Sequence, residues 1–228
     1  PMSISYDACP EYEATEFGYL LRGMRVMILG MDGYLGWPLA LKLAKLGCQV
    51  FGIDNMLRRE LVAERGAQSV LPIGSMQERI ESARELLGVE IDFRPIDLCD
   101  REEFFAYVEE VKPEAFVQYA EIPSAPYSMA SVETATKTIY NNNIGTLNLM
   151  FAMRDYAPEA SMIKLGTMGE YGSPLTGRPL FEGLFPGDAV LQHGDDEWSL
   201  GGELVPRDPV SFYHVSKVQG TFTMYESC

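Results

Sequence analysis

Three glycines at every third position, Gly30, Gly33 and Gly36, close one apolar run and open another, and this constrains the chain more than any other feature. The first run, RVMILG over residues 25–30, has no polar alternation, the pattern of a strand buried on both faces. The segment after the glycines, WPLALKLAKLG, carries apolar residues at helical spacing and stops at Gly47. A second apolar run, QVFGID, ends at Asp54. Strand, glycine turn, helix and strand make a βαβ unit, whose two strands must run parallel.

A turn without Cβ atoms at that place has a chemical use. It lets a pyrophosphate approach backbone N–H groups at the positive end of a helix. Asp54, about 20 residues further on, is then placed to accept hydrogen bonds from an adenosine ribose. A carboxylate there favours NAD over NADP, whose additional phosphate it repels, while Arg58 and Arg59 keep NADP open. Asp97, in PIDLCD, reads either as a cofactor contact or as a helix N-cap.

Beyond Asp54 the alternation continues. A long connection leads to a helix near 76–87, the strand EIDFRPID, a helix near 101–110, the strand PEAFVQYAE, a long helix VETATKTIYNNNIGTLNLMFAMRDY and the strand SMIKLGT. Such alternation predicts an α/β fold with a doubly wound parallel sheet of the Rossmann type. We expect an N-terminal extension over 1–23, packed on a surface or ordered by a partner, and one dinucleotide-binding domain over 24–228. Residues 173–209 break the pattern with glycines, prolines and the acidic run Asp195, Asp196, Glu197, and are expected to form a long substrate-side loop or lid.

Composition narrows the partners. The 228 residues are 46% hydrophobic and 22% charged, enough apolar material for a packed core. A formal net charge of −15 argues against nucleic acid and anionic membranes, since the long-range field repels both. No apolar run reaches the ~20 residues of a membrane span, and the acidic N-terminal stretch is unlike a signal peptide, so a soluble, cytoplasmic protein is expected. Cys9, Cys48, Cys99 and Cys228 lack metal-type spacing, so reduced thiols and no metal site are expected.

The acid–base chemistry concentrates late in the chain. In SFYHVSKVQ, Tyr213 and Lys217 stand one helical turn apart on one face. Thr167 lies just past the strand SMIKLG, where open α/β sheets bind ligands. A hydroxyl to hold a substrate oxygen, a phenol to take its proton and a cation to lower the phenol's pKa suit oxidation of an alcohol by a nicotinamide. Alone, a tyrosine–lysine pair at that spacing is as easily a surface contact. Behind such a glycine turn it reads as catalytic.

At these residues the chain resembles the extended short-chain dehydrogenase/reductase superfamily and its nucleotide-sugar epimerases and dehydratases. DGYLGWPLALKLAKLG, IDNMLRRE, SAPYSM, NNNIGTLNLMFA, KLGTMGEYG and SFYHVSKV together are similar to the UDP-sulfoquinovose synthase family. The resemblance implies tightly bound NAD, a UDP-hexose substrate, oxidation at carbon 4, loss of water across carbons 5 and 6, sulfite addition at carbon 6, and a homodimer with Tyr140 of the long helix in its interface. It implies Thr167, Tyr213 and Lys217 as catalytic residues, with His214 and Met168 near the reacting carbons. Toward the cofactor it implies Gly30, Gly33, Tyr34, Leu35, Gly36, Asp54, Asn55, Arg58, Asp97, Leu98, Tyr119, Ala120, Glu121, Asn142 and Leu165, with Tyr213 and Lys217. Toward the sugar it implies Ser124, Tyr127, Thr167, Gly169 and Glu170. The C-terminal sugar-binding domain common in that superfamily is expected to be missing or truncated.

Three features depart from these patterns, one of them the loop 173–209, which has few basic residues and the acidic run. Dehydratases of the 4,6 type follow the threonine with an Asp–Glu pair, whereas these places hold Met168 and Gly169. Elimination then needs another proton carrier, and His214, titrating near neutrality, and Glu170 are the candidates. The family commonly reads Glu-Gln-Arg after the fourth strand; here Glu121 is followed by Ile122 and Pro123, which removes an arginine suited to an anion. Three readings follow: sulfoquinovose-type dehydration and addition, a nucleotide-sugar 4-epimerase or 4,6-/5,6-dehydratase without sulfite, and a non-catalytic dinucleotide-binding module.

Overall fold

The computed structural model describes residues 20–173 and 180–227. Its sheet strands are β1 (Arg25–Leu29), β2 (Gln49–Ile53), β3 (Ile91–Arg94), β4 (Ala115–Gln118) and β5 (Ser161–Lys164). All pair in parallel, in the order β3-β2-β1-β4-β5. β1 is the centre, and Val26, Met27, Ile28 and Leu29 are each no more than 3% exposed. Burying aliphatic side chains of this size contributes roughly 1.5–3 kcal/mol apiece, so an unbroken apolar run is driven to the middle of the sheet. The order reverses between β1 and β4, and a doubly wound sheet binds its ligand at the carboxyl ends of the strands beside that reversal.

The helices are α1 (Gly36–Lys45), α2 (Leu57–Glu64), α3 (Met76–Leu87), α4 (Arg101–Val111), α5 (Ala125–Ser128), α6 (Val132–Tyr156) and α7 (Phe212–Ser227). α3 starts on a capping box, Ser75 with Glu78, and stops at Gly88 with φ 64°. α4 is capped by Asp100, whose carboxylate accepts the N–H groups of Glu102 and Glu103. The N-cap role open to Asp97 therefore belongs to Asp100. The long connection after Asp54 itself holds a helix, α2.

The chain divides into two compact units, Pro1–Glu121 with Asn148–Leu165, and Ile122–Leu147 with Gly166–Cys228. The first carries the parallel sheet. The second carries the N-terminal part of α6, a 3-10 turn at Met168–Glu170, and α7.

Residues 173–209 are not loop throughout. They contain an antiparallel hairpin, β6 (Val190–His193) and β7 (Asp196–Ser199). Its two-residue turn is led by Gly194 at φ 63°, the backbone that such tight hairpins require at that position. The acidic run is thus part turn and part strand, with its charges held in solvent because every hairpin residue is exposed. Residues 174–179 of this segment, residues 1–19 of the expected extension, Cys9 and Cys228 lie outside the described residues. Among the described residues no helix is long and apolar enough to cross a membrane.

Candidate active site

In the first unit the glycine turn is shaped by backbone crossing backbone. Gly30 has φ 87°, and a Cβ on it would stand 2.7 Å from Ala120 N and from the Tyr119 carbonyl carbon. A Cβ on Gly36 would stand 2.2 Å from Gly30 O. Gly33 differs: the nearest atom to its Cβ position is Gly30 O at 3.3 Å, so this glycine leaves room at the turn's surface. Tyr34 and Leu35 beside it are exposed. The N–H groups of Gly30 and Met31 donate to Ile53 O, which anchors the turn on β2.

Asp54 follows β2 directly. Its carboxylate accepts the Met56 N–H at 2.8 Å and the Asp32 N–H at 2.9 Å, and the first bond holds Met56 at φ 59°. Burial pushes the Asp54 carboxyl above its ordinary range, and these two hydrogen bonds oppose the rise. A carboxylate has about four acceptor sites, so ribose hydroxyls have somewhere to bind. Asp97 accepts Asn55 Nδ2 at 3.0 Å and the Cys99 N–H at 2.8 Å, which ties the ends of β2 and β3 together. Leu98 is buried, and its carbonyl accepts Asn148 Nδ2 at 3.0 Å.

Arg58 points to solvent, but Arg59 does not stand open beside Asp54. Its guanidinium grips Asp32 through two bonds, of 2.7 and 2.6 Å, and Arg79 donates to the same carboxylate at 2.7 Å. Sequence reasoning missed this cluster. At the β4 end, Tyr119 and Ala120 are half-buried, and Glu121 forms an ion pair with Lys164 in which both side chains are 5% exposed or less. Leu165, next in the chain, is exposed.

The second unit brings the acid–base residues together. Lys217 is 3% exposed, and its Nζ lies 5.7 Å from the centre of the Tyr213 ring. Tyr213 is half-buried and its N–H donates to Ser128 Oγ at 3.0 Å, so the SAPYSM segment holds the start of α7. Ser124 caps α5 by accepting the Tyr127 N–H. Thr167 caps the 3-10 turn, its Oγ1 accepting the Gly169 N–H at 3.3 Å. Asn142, only 1% exposed, spends its amide on the protein: it accepts the Ile122 N–H at 2.8 Å and donates to Ser216 Oγ at 2.9 Å. It positions the residue next to Lys217.

His214 and Gly169 explain the missing Asp–Glu pair. A Cβ on Gly169 would fall 2.2 Å from His214 Nε2, so the imidazole fills the space a side chain at 169 would need. Ser211 Oγ lies 3.0 Å from His214 Nδ1, and Nε2 is the ring nitrogen that faces Gly169. Desolvation holds the imidazole pKa below its ordinary value, with Glu170 opposing. Met168 is exposed, whereas Glu170 is buried at 3% exposure. Glu170 accepts Thr221 Oγ1 at 3.0 Å and lies 3.7 Å from Arg207 Nε. It is committed to structure rather than offered to a substrate. A shallow concavity of about 450 Å³ runs along α6 from Val132 to Tyr140, and none of these residues lines it.

The first unit thus holds a nucleotide-type glycine turn on a Rossmann-type parallel sheet, and the second holds the Thr–Tyr–Lys set. The sequence profile of the NAD dependent epimerase/dehydratase family matches residues 26–224, and the chain belongs to that family. It is 41% identical over 198 residues to a UDP-sulfoquinovose synthase of Sulfolobus acidocaldarius, covering 87% of this chain and 48% of the relative. It is 38% identical over 204 residues to a chloroplastic UDP-sulfoquinovose synthase of Spinacia oleracea, covering 90% and 40%. The chain thus spans about half the length of these curated relatives, or less. Among solved structures, the UDP-Glc/GlcNAc 4-epimerase of Campylobacter jejuni superposes with a TM-score of 0.61 at 21% identity, covering 90% of this chain and 49% of that one. That likeness speaks for the fold.

Proposed function

We propose that the protein is an NAD-dependent nucleotide-sugar enzyme of the UDP-sulfoquinovose synthase type. The observation that carries this reading is its identity of 41% and 38% to two such synthases over most of the chain. Gly30, Gly33, Gly36 and the start of α1 hold the pyrophosphate, and Asp54 holds the adenosine ribose. NAD, when bound, supplies the hydride acceptor. Tyr213 takes the proton of the carbon 4 hydroxyl of a UDP-hexose, Lys217 keeps a positive charge beside the phenol, and Thr167 orients the oxygen. His214, its pKa lowered by desolvation, receives the carbon 5 proton and returns it to the carbon 6 hydroxyl, which leaves as water as the carbon 5–carbon 6 double bond forms. Met168, Ser124 and Tyr127 line the sugar side. The protein acts in a reducing, cytoplasm-type compartment as a homodimer through α6, where Tyr140 is 57% exposed.

A second reading has its own support. Ile122, where the synthase family commonly has glutamine, is apolar and 3% exposed, and Pro123 stands where the arginine is expected. Arg207 is turned to Glu170. With fewer cations for sulfite, the reaction stops at dehydration or returns the hydride as a 4-epimerase does. The deciding experiment incubates the full-length protein with NAD and UDP-glucose, with and without sulfite, and reads product mass. A sulfite-dependent gain supports the synthase reading, and loss of one water without sulfite uptake supports the second. Bound NAD that no UDP-hexose reduces overturns both and leaves a binding module.

A further inference from the structure

The Asp32 cluster bears on which cofactor the site accepts. Asp32 lies within the glycine turn, and its N–H donates to Asp54 Oδ2, so two carboxylates share the region that holds the adenosine ribose in the reading above. Arg59 Nε and Nη2 bond Asp32 Oδ2 and Oδ1 at 2.7 and 2.6 Å. Arg79 Nη1 bonds Oδ1 at 2.7 Å and the Asp32 carbonyl at 3.3 Å. The Asp32 side chain is 6% exposed, against 34% for Arg59 and 17% for Arg79. Both guanidiniums are fixed further, Arg59 by the Gly74 carbonyl at 2.9 Å and Arg79 by stacking 4.4 Å from the centre of the Trp37 ring.

Two carboxylates and two guanidiniums cancel within this cluster, so the cluster itself offers no net positive charge to a phosphate dianion arriving beside Asp54. The dianion also finds Arg59 Nε and Nη2 and Arg79 Nη1 already donating to a partner built into the turn. Without the Asp32 charge, the same two arginines are forked, pre-positioned donors of the kind that bind phosphate. We propose that Asp32 sets cofactor choice: by occupying Arg59 and Arg79 it turns a latent 2′-phosphate cradle into an NAD-type site. The inference rests on the proposed NAD-binding reading. Asp54 then supplies ribose recognition, and Asp32 supplies the exclusion.

The test titrates the full-length protein by calorimetry with 5′-AMP and 2′,5′-ADP, which differ only in the 2′-phosphate, and with NAD and NADP. Asp32→Asn and Asp32→Ser are compared, with circular dichroism confirming the fold. We expect the unchanged protein to prefer 5′-AMP, and either variant to bind 2′,5′-ADP at least about tenfold more tightly, the low end of what a charge-assisted hydrogen bond contributes. Adding Arg59→Met with Arg79→Met should remove the gain. A folded Asp32 variant whose 2′,5′-ADP affinity stays as in the unchanged protein overturns the inference, as does a gain that survives loss of both arginines. Should neither Asp32 variant fold, Arg59→Met alone decides: a similar change for both nucleotides supports the inference, and a loss confined to 2′,5′-ADP overturns it. If the unchanged protein binds neither 5′-AMP nor NAD, the NAD reading itself falls and takes the inference with it. Retained 5′-AMP binding with an unmoved preference overturns the inference alone.

Discussion

Gly36→Ala is the substitution whose cost the structure fixes most directly. The new Cβ would stand 2.2 Å from Gly30 O and 2.8 Å from Met31 Cα, both backbone atoms. Non-bonded carbons rest at about 3.5 Å, so the turn and α1 must part by about 1 Å. Overpacking of this kind costs ~1–3 kcal/mol, and backbone against backbone lies at the upper end. Alanine returns up to ~1 kcal/mol of helix propensity, leaving a loss of about 2 kcal/mol. At ~2–4 °C per kcal/mol for a chain of this size, the melting temperature falls by about 4–8 °C. Gly30→Ala does worse, since φ 87° adds ~1–2 kcal/mol of left-handed strain to a clash with Ala120 N and Tyr119. Gly33→Ala should melt within about 2 °C of the unchanged protein, its gain in chain stiffness offsetting a 3.3 Å contact, yet lose NAD affinity. Thermal melts followed by circular dichroism, with NAD titrations alongside, test the order. The reasoning fails if Gly33→Ala melts below Gly36→Ala, or if Gly36→Ala melts with the unchanged protein.

With the phenol in its proposed role, Tyr213→Phe should lower kcat by about 10²–10⁴-fold and change NAD affinity far less; steady-state rates and NAD titration check both halves. Asn142→Ala strips the acceptor from the buried Ile122 N–H and should cost ~1–3 kcal/mol, read by urea denaturation. Gly169→Ala should displace the His214 ring with little loss of stability, because the obstructing atoms end a side chain, and with His214 in its proposed role both it and His214→Gln should slow deuterium uptake at carbon 5. The His214 pKa is lowered by desolvation, so the unfolded chain takes up this proton before the folded one does. Its contribution to stability is complete above the ordinary histidine pKa and shrinks as pH falls through it. Urea midpoints compared between pH 7.5 and 5.5, a window spanning the ordinary value of ~6.5, should fall less in His214→Gln than in the unchanged protein.

The fold was legible where a single stretch of chain carries its own instruction. The apolar run 25–30 needs both faces covered, and Gly30 and Gly36 need the absence of a Cβ, so strand, turn and helix could be placed without knowing anything else. The Tyr213–Lys217 face followed from helical spacing alone. What stayed hidden depends on partners distant in sequence. Asp32 meets Arg59 and Arg79 across 27 and 47 residues, so Arg59 looked available for a phosphate when it is occupied. Glu121 with Lys164, and Asn142 with Ser216, are pairings of the same kind, in which a polar residue expected toward the cofactor is taken up by the protein. The hairpin at 190–199 was concealed differently. With no buried face it leaves no apolar alternation to detect, and only Gly194 marks its turn.

Glu170 carries one further consequence. Its side chain meets Thr221 on α7 and Arg207, its carbonyl accepts the Asp208 N–H, and Arg207 lies 4.1 Å from the centre of the Tyr171 ring. Those contacts join the chain just before residue 173 to the far end of the 173–209 segment and to α7. The segment between them is tied in as well: the Gly183 N–H donates to the Tyr171 hydroxyl, and Leu184 bridges to Leu204. A change confined to the exposed hairpin at 190–199 should therefore leave the spacing between Thr167 and the start of α7 as it is.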